Sequence, residues 1–142
     1  MAERGLEGID ETVHLTYRWI DEIAERMGSD RHHAFQALRT FLQLLRDHLK
    51  VDEAAQLAAQ LPLLLRGAFY EGWDPGHDLL HERGGDEFVQ RFMERCPVKT
   101  IDPQKALPAV WSVLKEHVSA GEVEDVFQSL PKGVREVLEP AA

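Results

Sequence analysis

Two histidine–glutamate pairs stand out as candidates for chemistry because the same spacing occurs twice. Glu53 follows His48 by five residues, and Glu122 follows His117 by five. Two imidazoles and two carboxylates could hold a divalent metal ion if the fold brought both copies together. Alternatively, each histidine ends one helix and each glutamate begins the next, where the helix dipole favours those charges. We favour this second explanation and therefore predict no metal and no cofactor.

A repeated arginine is the second candidate. Arg66 and Arg135 each follow the proline of a Leu-Pro dipeptide by four residues. A guanidinium group at each position could bind an anionic ligand. It could equally form a salt bridge with an acid of a neighbouring helix, such as Glu53 and Glu122 in the same halves. We favour the salt bridge, because a duplicated residue is more typical of the scaffold than of a single active site.

Aromatic residues cluster in the middle of the chain. Phe69, Tyr70 and Trp73 lie within five positions of one another, just before a stretch rich in glycine and proline. If these rings are exposed, they could anchor a protein partner or stack on a ligand. If they are buried, they close the core where two parts of the chain meet. We favour burial.

Other catalytic or metal-binding patterns are weak. His77 and His81 have the four-residue spacing of two metal ligands on a helix, with Asp78 and Glu82 beside them. The flanking glycines instead favour a solvated loop. The sequence contains no glycine-rich phosphate loop, no nucleophile elbow and no Ser-His-Asp order. The sequence therefore favours a protein that is not an enzyme.

These candidates are positioned by an internal repeat of 69 residues. Residues 19–66 align with residues 88–135 without a gap, and ten of the 48 pairs are identical. Leu45 aligns with Leu114, and His48 with His117. A repeat of this length is one structural unit used twice. We predict one domain over residues 1–142, with repeat one at about 10–72, a loop at about 73–85 and repeat two at about 86–139.

Helical periodicity runs through nearly every segment, and no segment alternates like a strand. We predict helices at about residues 10–27, 30–49, 52–60, 62–70, 86–96, 103–118 and 131–138, and a further short helix that begins after Ser119. The start and stop signals are Asp10, Asp102-Pro103 and Ser119 as caps and Gly28 as a terminator. The expected fold is an all-α bundle of two tandem repeats, each of three to four helices, related by a pseudo-twofold axis.

The inward face of the first helix follows from the same periodicity. Residues at helical spacing predict an apolar face toward the core. That face is expected to consist of Val13, Tyr17, Ile20, Ala24 and Met27.

Composition excludes several classes of function. The net charge is −9 and the pI is about 5.2, which opposes binding to nucleic acid and to anionic lipid. One cysteine, Cys96, allows no internal disulfide and is expected to be buried. Residues 1–8 lack an apolar signal core, and no apolar run is long enough to span a membrane. We expect a cytoplasmic protein.

A set of short motifs carries a resemblance to a known family. These motifs include Gln60-Leu61-Pro62, Arg66-Gly67, Tyr70-Glu71-Gly72-Trp73, Gly121-Glu122 and Leu130-Pro131. Over about residues 12–138, the chain resembles the bacterial domain of unknown function 2267. The resemblance implies an all-helical, soluble bacterial protein, and it brings no activity and no catalytic residue.

Two functions follow as expectations. The first is a non-enzymatic module that acts through protein contacts, with itself or another protein, in an accessory role such as a stress response. The second is a small-ligand-binding protein or an enzyme with a pocket between the two repeats. A filled seam between the repeats would favour the module, and a deep cavity containing His48, His117 and the arginines would favour the second.

Overall fold

A computed structural model describes residues 6–82 and 84–141. All regular structure within these residues is α-helical, in agreement with the all-α prediction. In chain order the eight helices are α1 (Glu7–Met27), α2 (Arg31–Arg46), α3 (Val51–Ala58), α4 (Leu63–Tyr70), α5 (Gly85–Arg95), α6 (Pro103–His117), α7 (Ala120–Gln128) and α8 (Lys132–Leu138).

Local capping chemistry accounts for several of the helix bounds. The Asp30 side chain accepts a hydrogen bond from the His33 backbone N–H at 2.8 Å and begins α2. Asp102 caps α6 in the same way, and Ser119 caps α7. Gly28 ends α1 in the left-handed conformation, with φ of 70°. Three of these signals, at Asp102, Ser119 and Gly28, confirm the predictions from the sequence.

The first helix differs from the prediction at its start. α1 begins at Glu7, after Leu6, so Asp10 lies in the first turn instead of capping the helix. Its inward face is also rotated. Trp19 and Ile23 are buried at 2% and 0% exposure, whereas Val13 and Tyr17 are 38% and 48% exposed. The prediction that Val13 and Tyr17 point inward is therefore wrong.

The helix bounds follow the 69-residue register. α3 begins at Val51 and α7 at Ala120, which are 69 residues apart. α4 begins at Leu63 and α8 at Lys132, which are also 69 residues apart. α1 is longer than its counterpart α5. The first turns of α1 correspond to residues 76–82, which form turns and extended chain instead of a helix.

The core lies between helices of different halves. α1 packs against α2 and α6, and α2 packs against α4, α5 and α6. At the centre, the Phe41 ring lies edge-on to Phe88 and to Trp111, with centroids 6.4 Å apart in both cases. All three rings are at most 1% exposed. Aromatic side chains therefore fill the seam between the two halves.

The connection between the halves is fixed to the end of α2. The Leu80 backbone N–H donates to the Asp47 carbonyl at 2.9 Å, and Leu80 packs against the core. Gly72 begins this connection with φ of 74°, a conformation that glycine adopts without a steric penalty. In the described part of the chain, no helix is both long and apolar enough to cross a membrane.

We predict that Leu45→Ala and Leu114→Ala each lower the midpoint of one cooperative unfolding transition. Both side chains are at most 1% exposed, and truncating a buried leucine typically costs about 2–5 kcal/mol. Because each half covers the other's apolar face, both halves should unfold together. Calorimetry checks this. Two resolved transitions in either variant, one of them at the wild-type temperature, would contradict a shared core and the single domain that we predict.

Candidate functional site

His48 lies in a buried polar network at the end of α2. Its Nδ1 donates to the Leu44 carbonyl at 2.8 Å, and its Nε2 pairs with the Glu82 carboxylate. Arg91 of α5 contacts the other Glu82 oxygen at 2.7 Å. The His48 and Glu82 side chains are 3% and 0% exposed. The expected solvated loop is therefore wrong at Glu82, because this carboxylate bridges both halves from a buried position.

His117 occupies the matching position in the second half but has different partners. Its Nε2 lies 2.8 Å from the Glu22 carboxylate, and its ring stacks on Trp19 with centroids 4.8 Å apart. His48 correspondingly contacts Phe88, at 5.6 Å between centroids. Each histidine thus packs on an aromatic residue of the other half. These two aromatic residues, Trp19 and Phe88, are aligned with each other in the 69-residue register.

Two arginine–carboxylate pairs connect the halves in the same reciprocal way. Arg26 of α1 contacts Glu116 of α6 at 2.8 Å, and Arg95 of α5 contacts Asp47 at 2.8 Å. The hydrogen bond from Arg26 lowers the pKa of the Glu116 carboxyl. Burial acts to raise the pKa of Asp47, but hydrogen bonds from Arg46 and Arg95 outweigh it and lower that pKa. Both carboxylates therefore stay ionised and paired.

The two repeated glutamates approach each other where α3 packs against α7. Glu122 is 9% exposed. Burial raises the pKa of its carboxyl, and the negative charges of Asp125 and Glu53 raise it further. Glu53 also accepts a long hydrogen bond, 3.4 Å, from the Lys50 backbone N–H. The negative charge of Glu53 therefore acts on the Glu122 carboxyl, while the two histidines pair with other carboxylates.

These positions do not build the metal site considered from the sequence. His48 and His117 are held by separate carboxylates, Glu82 and Glu22. Within residues 6–82 and 84–141, no group of three or more His, Cys, Asp or Glu side chains could hold a metal ion.

The repeated arginines bind helix ends. Arg66 donates to the carbonyls of Ala58, Ala59 and Leu61 at 3.0–3.3 Å, which satisfies the C-terminus of α3. Arg135 donates to the Gln128 side chain at 3.3 Å, at the matching end of α7. The expected salt bridges to Glu53 and Glu122 are therefore wrong. Each guanidinium instead contacts the end of a short helix, Arg66 through backbone carbonyls and Arg135 through the Gln128 side chain.

The aromatic cluster is largely enclosed. Phe69 is fully buried, and Tyr70 and Trp73 are half-buried against the core. The three rings contact one another in order, at centroid distances of 5.4 Å and 5.3 Å. Arg46 fixes the backbone beside them by donating to the carbonyls of Phe69 and Glu71, both at 2.9 Å.

The surface that is open to a partner lies instead along α1. We call it the apolar groove: a depression between α1, α2 and α4 lined by Val13, Thr16, Tyr17, Ile20, Phe35 and Leu64, together with Arg31 and His32. Leu64 is 50% exposed, and Leu6 and Ile9 extend the apolar surface along α1 at 69% and 53% exposure.

One wall of the apolar groove is held rigidly. The Arg31 guanidinium lies 4.7 Å from the centre of the Tyr17 ring, which is cation–π geometry. Two hydrogen bonds, of 2.7 Å and 2.9 Å, fix the same guanidinium to the Asp21 carboxylate. Arg31 therefore contacts one face of the Tyr17 ring, and the Tyr17 residue remains 48% exposed.

The second half has no such surface. In the 69-residue register, Tyr17 corresponds to Asp86, Phe35 to Gln104, and Leu64 to Gly133. Gly133 permits a close approach, because a Cβ atom there would lie 2.7 Å from the Gly85 backbone nitrogen. The depression between α5 and α8 is therefore lined by glycines and by the charged side chains of Asp86, Glu87 and Glu136, and not by large apolar side chains.

The helical period of α1 alone does not reveal the apolar groove, because Val13 and Tyr17 share the period of the inward residues. The signal that could have found it is the comparison between repeats. An apolar residue in one half that aligns with a charged residue in the other half is not required by the shared scaffold.

The fold and this surface define an all-helical protein with an exposed apolar groove between α1, α2 and α4. A family model described as "Uncharacterized conserved protein (DUF2267)" matches residues 16–137. The chain belongs to this family, as its motifs indicated. No curated protein matches the chain.

We predict that Glu122→Gln raises the free energy of unfolding at pH 7. The pKa of Glu122 is raised in the folded state, so its ionised form destabilises the fold above that pKa. The gain should shrink as the pH falls and vanish below about pH 4, where the carboxyl is protonated in both states. Urea unfolding across this pH range measures it. Glu94→Gln, an exposed change of the same kind on α5, controls for net charge. Equal gains in the two variants would contradict a site-specific effect.

We also expect the purified protein to contain no stoichiometric zinc, iron or manganese, because separate carboxylates hold the repeated histidines. Elemental analysis by mass spectrometry checks this. About one metal ion per chain, lost in the His48→Ala, His117→Ala double variant, would contradict this expectation.

Proposed function

We propose that this protein is a non-enzymatic protein-interaction module, with the apolar groove as its docking surface. The observation that carries the proposal is the exposure of Val13, Tyr17 and Leu64, at 38%, 48% and 50%. Exposed apolar patches on folded proteins commonly mark sites of protein contact. The second half supplies an internal comparison, since it has Asp86 where the first has Tyr17.

The alternative function, a ligand pocket or active site between the repeats, has less support. Buried rings of Phe41, Phe88 and Trp111 fill the seam where that pocket would lie. The candidate ligand-binding groups face other partners: His48 pairs with Glu82, and Arg66 binds helix carbonyls. A filled seam supports the module.

We further propose that the two repeats are related by an approximate twofold axis. The reciprocal pairs Arg26–Glu116 and Arg95–Asp47 support this relation, because a shift of 69 residues converts one pair into the other. The helix contacts also exchange: α1 packs on α6, and α2 packs on α5.

The remaining parts of the proposal concern the setting. We place the protein in the bacterial cytoplasm, in an accessory role such as a stress response. The single cysteine, Cys96, is buried, which suits a reducing compartment. The net charge of −9 supports a protein partner over nucleic acid.

Site-specific photo-crosslinking tests the docking surface. A benzophenone amino acid at position 17 or position 64 should give the same discrete adduct in cells of the native host. Position 51 serves as the control, because Val51 is equally exposed, at 51%, but lies on α3. Val13→Asp should abolish the adduct by placing a charge in the apolar groove. An identical pattern from position 51, or none from positions 17 and 64, would refute the docking surface.

A further inference from the structure

The apolar residues along the exposed side of α1 are arranged symmetrically about Val13. We infer that the apolar groove binds a second copy of this chain, with the two α1 helices packed antiparallel around a twofold axis at Val13. This inference rests on the proposed docking function and names the partner.

The order of apolar residues along α1 is the same in both directions from Val13. Ile9 and Tyr17 lie four residues before and after it. Leu6 and Ile20 lie seven residues before and after it. At 3.6 residues per turn, all five positions fall on one side of the helix. If two such helices pack antiparallel with their Val13 residues in contact, Ile9 of each copy meets Tyr17 of the other, and Leu6 likewise meets Ile20. A twofold interface requires this reciprocity.

The first turns of α1 form the protruding part of this surface. Leu6 and Ile9 are large apolar residues, and every residue from 6 to 11 is exposed. The aligned residues of the second half, 75–80, are not helical, so the shared scaffold does not require this extension. Helices in proteins draw most of their stability from the packing of an apolar face. A second copy would supply the packing that this end of α1 lacks.

The apolar groove lies beside the other end of the symmetric pattern. Its walls are formed by α1 together with Phe35 of α2 and Leu64 of α4. The antiparallel arrangement brings Leu6 and Ile9 of a second copy to this level of α1. The protruding apolar end of one copy therefore faces the open groove of the other, and the same contact occurs twice.

One carboxylate lies at the edge of the apolar side of α1. Asp10 comes three residues before Val13, so the antiparallel arrangement places it level with the turn that contains Tyr17 of the other copy. There the Arg31 guanidinium lies 4.7 Å from the centre of the Tyr17 ring. It binds Asp21 through Nε and Nη2, and its Nη1 has no partner within residues 6–82 and 84–141. An acid of each copy would thus meet a guanidinium of the other.

Repulsion between two acidic chains is weakened by salt. Each copy has a net charge of −9, but the Debye length at physiological ionic strength is about 8 Å, so charges far from the interface are screened. Glu7 and Glu11 lie six and two residues before Val13. At 3.6 residues per turn, both project from other sides of α1 than Val13 does. The arrangement therefore does not bring these like charges against each other.

Sedimentation equilibrium measures the association. At physiological ionic strength, the measured mass should rise with protein concentration toward twice the chain mass of 16.2 kDa. Val13→Asp should raise the dissociation constant at least about tenfold, because the twofold axis brings the two new carboxylates together. Val51→Asp is the control, since Val51 is also exposed but lies on α3. Circular dichroism checks that both variants fold.

Engineered cysteines test the antiparallel arrangement. Val13→Cys should form a disulfide-linked dimer on oxidation with copper phenanthroline, because the axis brings its two copies together. Ile9→Cys alone should form none, since its two copies would lie about 12 Å apart along the helix, beyond the reach of a disulfide. A mixture of the Ile9→Cys and Tyr17→Cys proteins should form the mixed disulfide, which intact mass spectrometry identifies. Cys96 is buried, and the wild-type chain measures its background.

Three results would overturn the inference. If the chain stays monomeric and Val13→Cys forms no disulfide, no second copy occupies the groove. The docking function then survives if the photo-crosslinked adduct contains a different protein, and it fails if no adduct forms. If Val13→Asp leaves the dimer intact, the dimer uses another surface. If Ile9→Cys alone forms the disulfide as readily as the mixture does, the two helices pack in parallel and the arrangement around Val13 is wrong.

Discussion

The rest of the structure depends on the reciprocal burial of apolar faces between the two halves. Neither half has enough helices to bury the apolar faces of its own long helices. Therefore α1 packs on α6, and α2 packs on α5. Phe41, Phe88 and Trp111 come from different helices and close the centre of this contact. A cavity at the seam would require removing rings that hold the halves together, which is why the seam offers a poor place for a ligand.

Charged pairs around this contact fix its register. Arg26 reaches Glu116, and Arg95 reaches Asp47, each across the boundary between halves. The buried His48–Glu82 pair adds a polar contact between the end of α2 and the connecting segment. Buried polar groups that lose their partners are costly. The repeated ionisable residues thus specify how the halves fit, and few of them remain available for chemistry.

The sequence predicted the helices well because their signals are local. Asp30, Asp102 and Ser119 cap helices through contacts within three residues, so no knowledge of the fold is needed. It failed where the contact is distant. Periodicity defines an apolar face on α1, but it does not show which part of that face another helix covers. The sequence therefore predicts wrongly that Tyr17 lies in the core. Glu82 became buried through His48, 34 positions away, and its neighbouring sequence contains no sign of that pairing.

Most apolar positions of the candidate site have no apolar match at the aligned positions of the second half. A side chain needed for the shared core is constrained in both halves, as the buried Leu45 and Leu114 are. The groove positions are not under that constraint: Tyr17 aligns with Asp86, and Leu64 with Gly133. In the second half, Gly85 and Gly133 let α5 and α8 approach closely, and the depression beside them is lined by the charged side chains of Asp86, Glu87 and Glu136. In the first half, Leu64 keeps its apolar surface exposed beside α1. An exposed apolar surface lowers solubility, and the scaffold folds without one in its other copy. Apolar residues that are buried in both halves, such as Leu45 and Leu114, are required by the fold. Exposed apolar residues that occur in one half alone, such as Tyr17 and Leu64, are available to a partner.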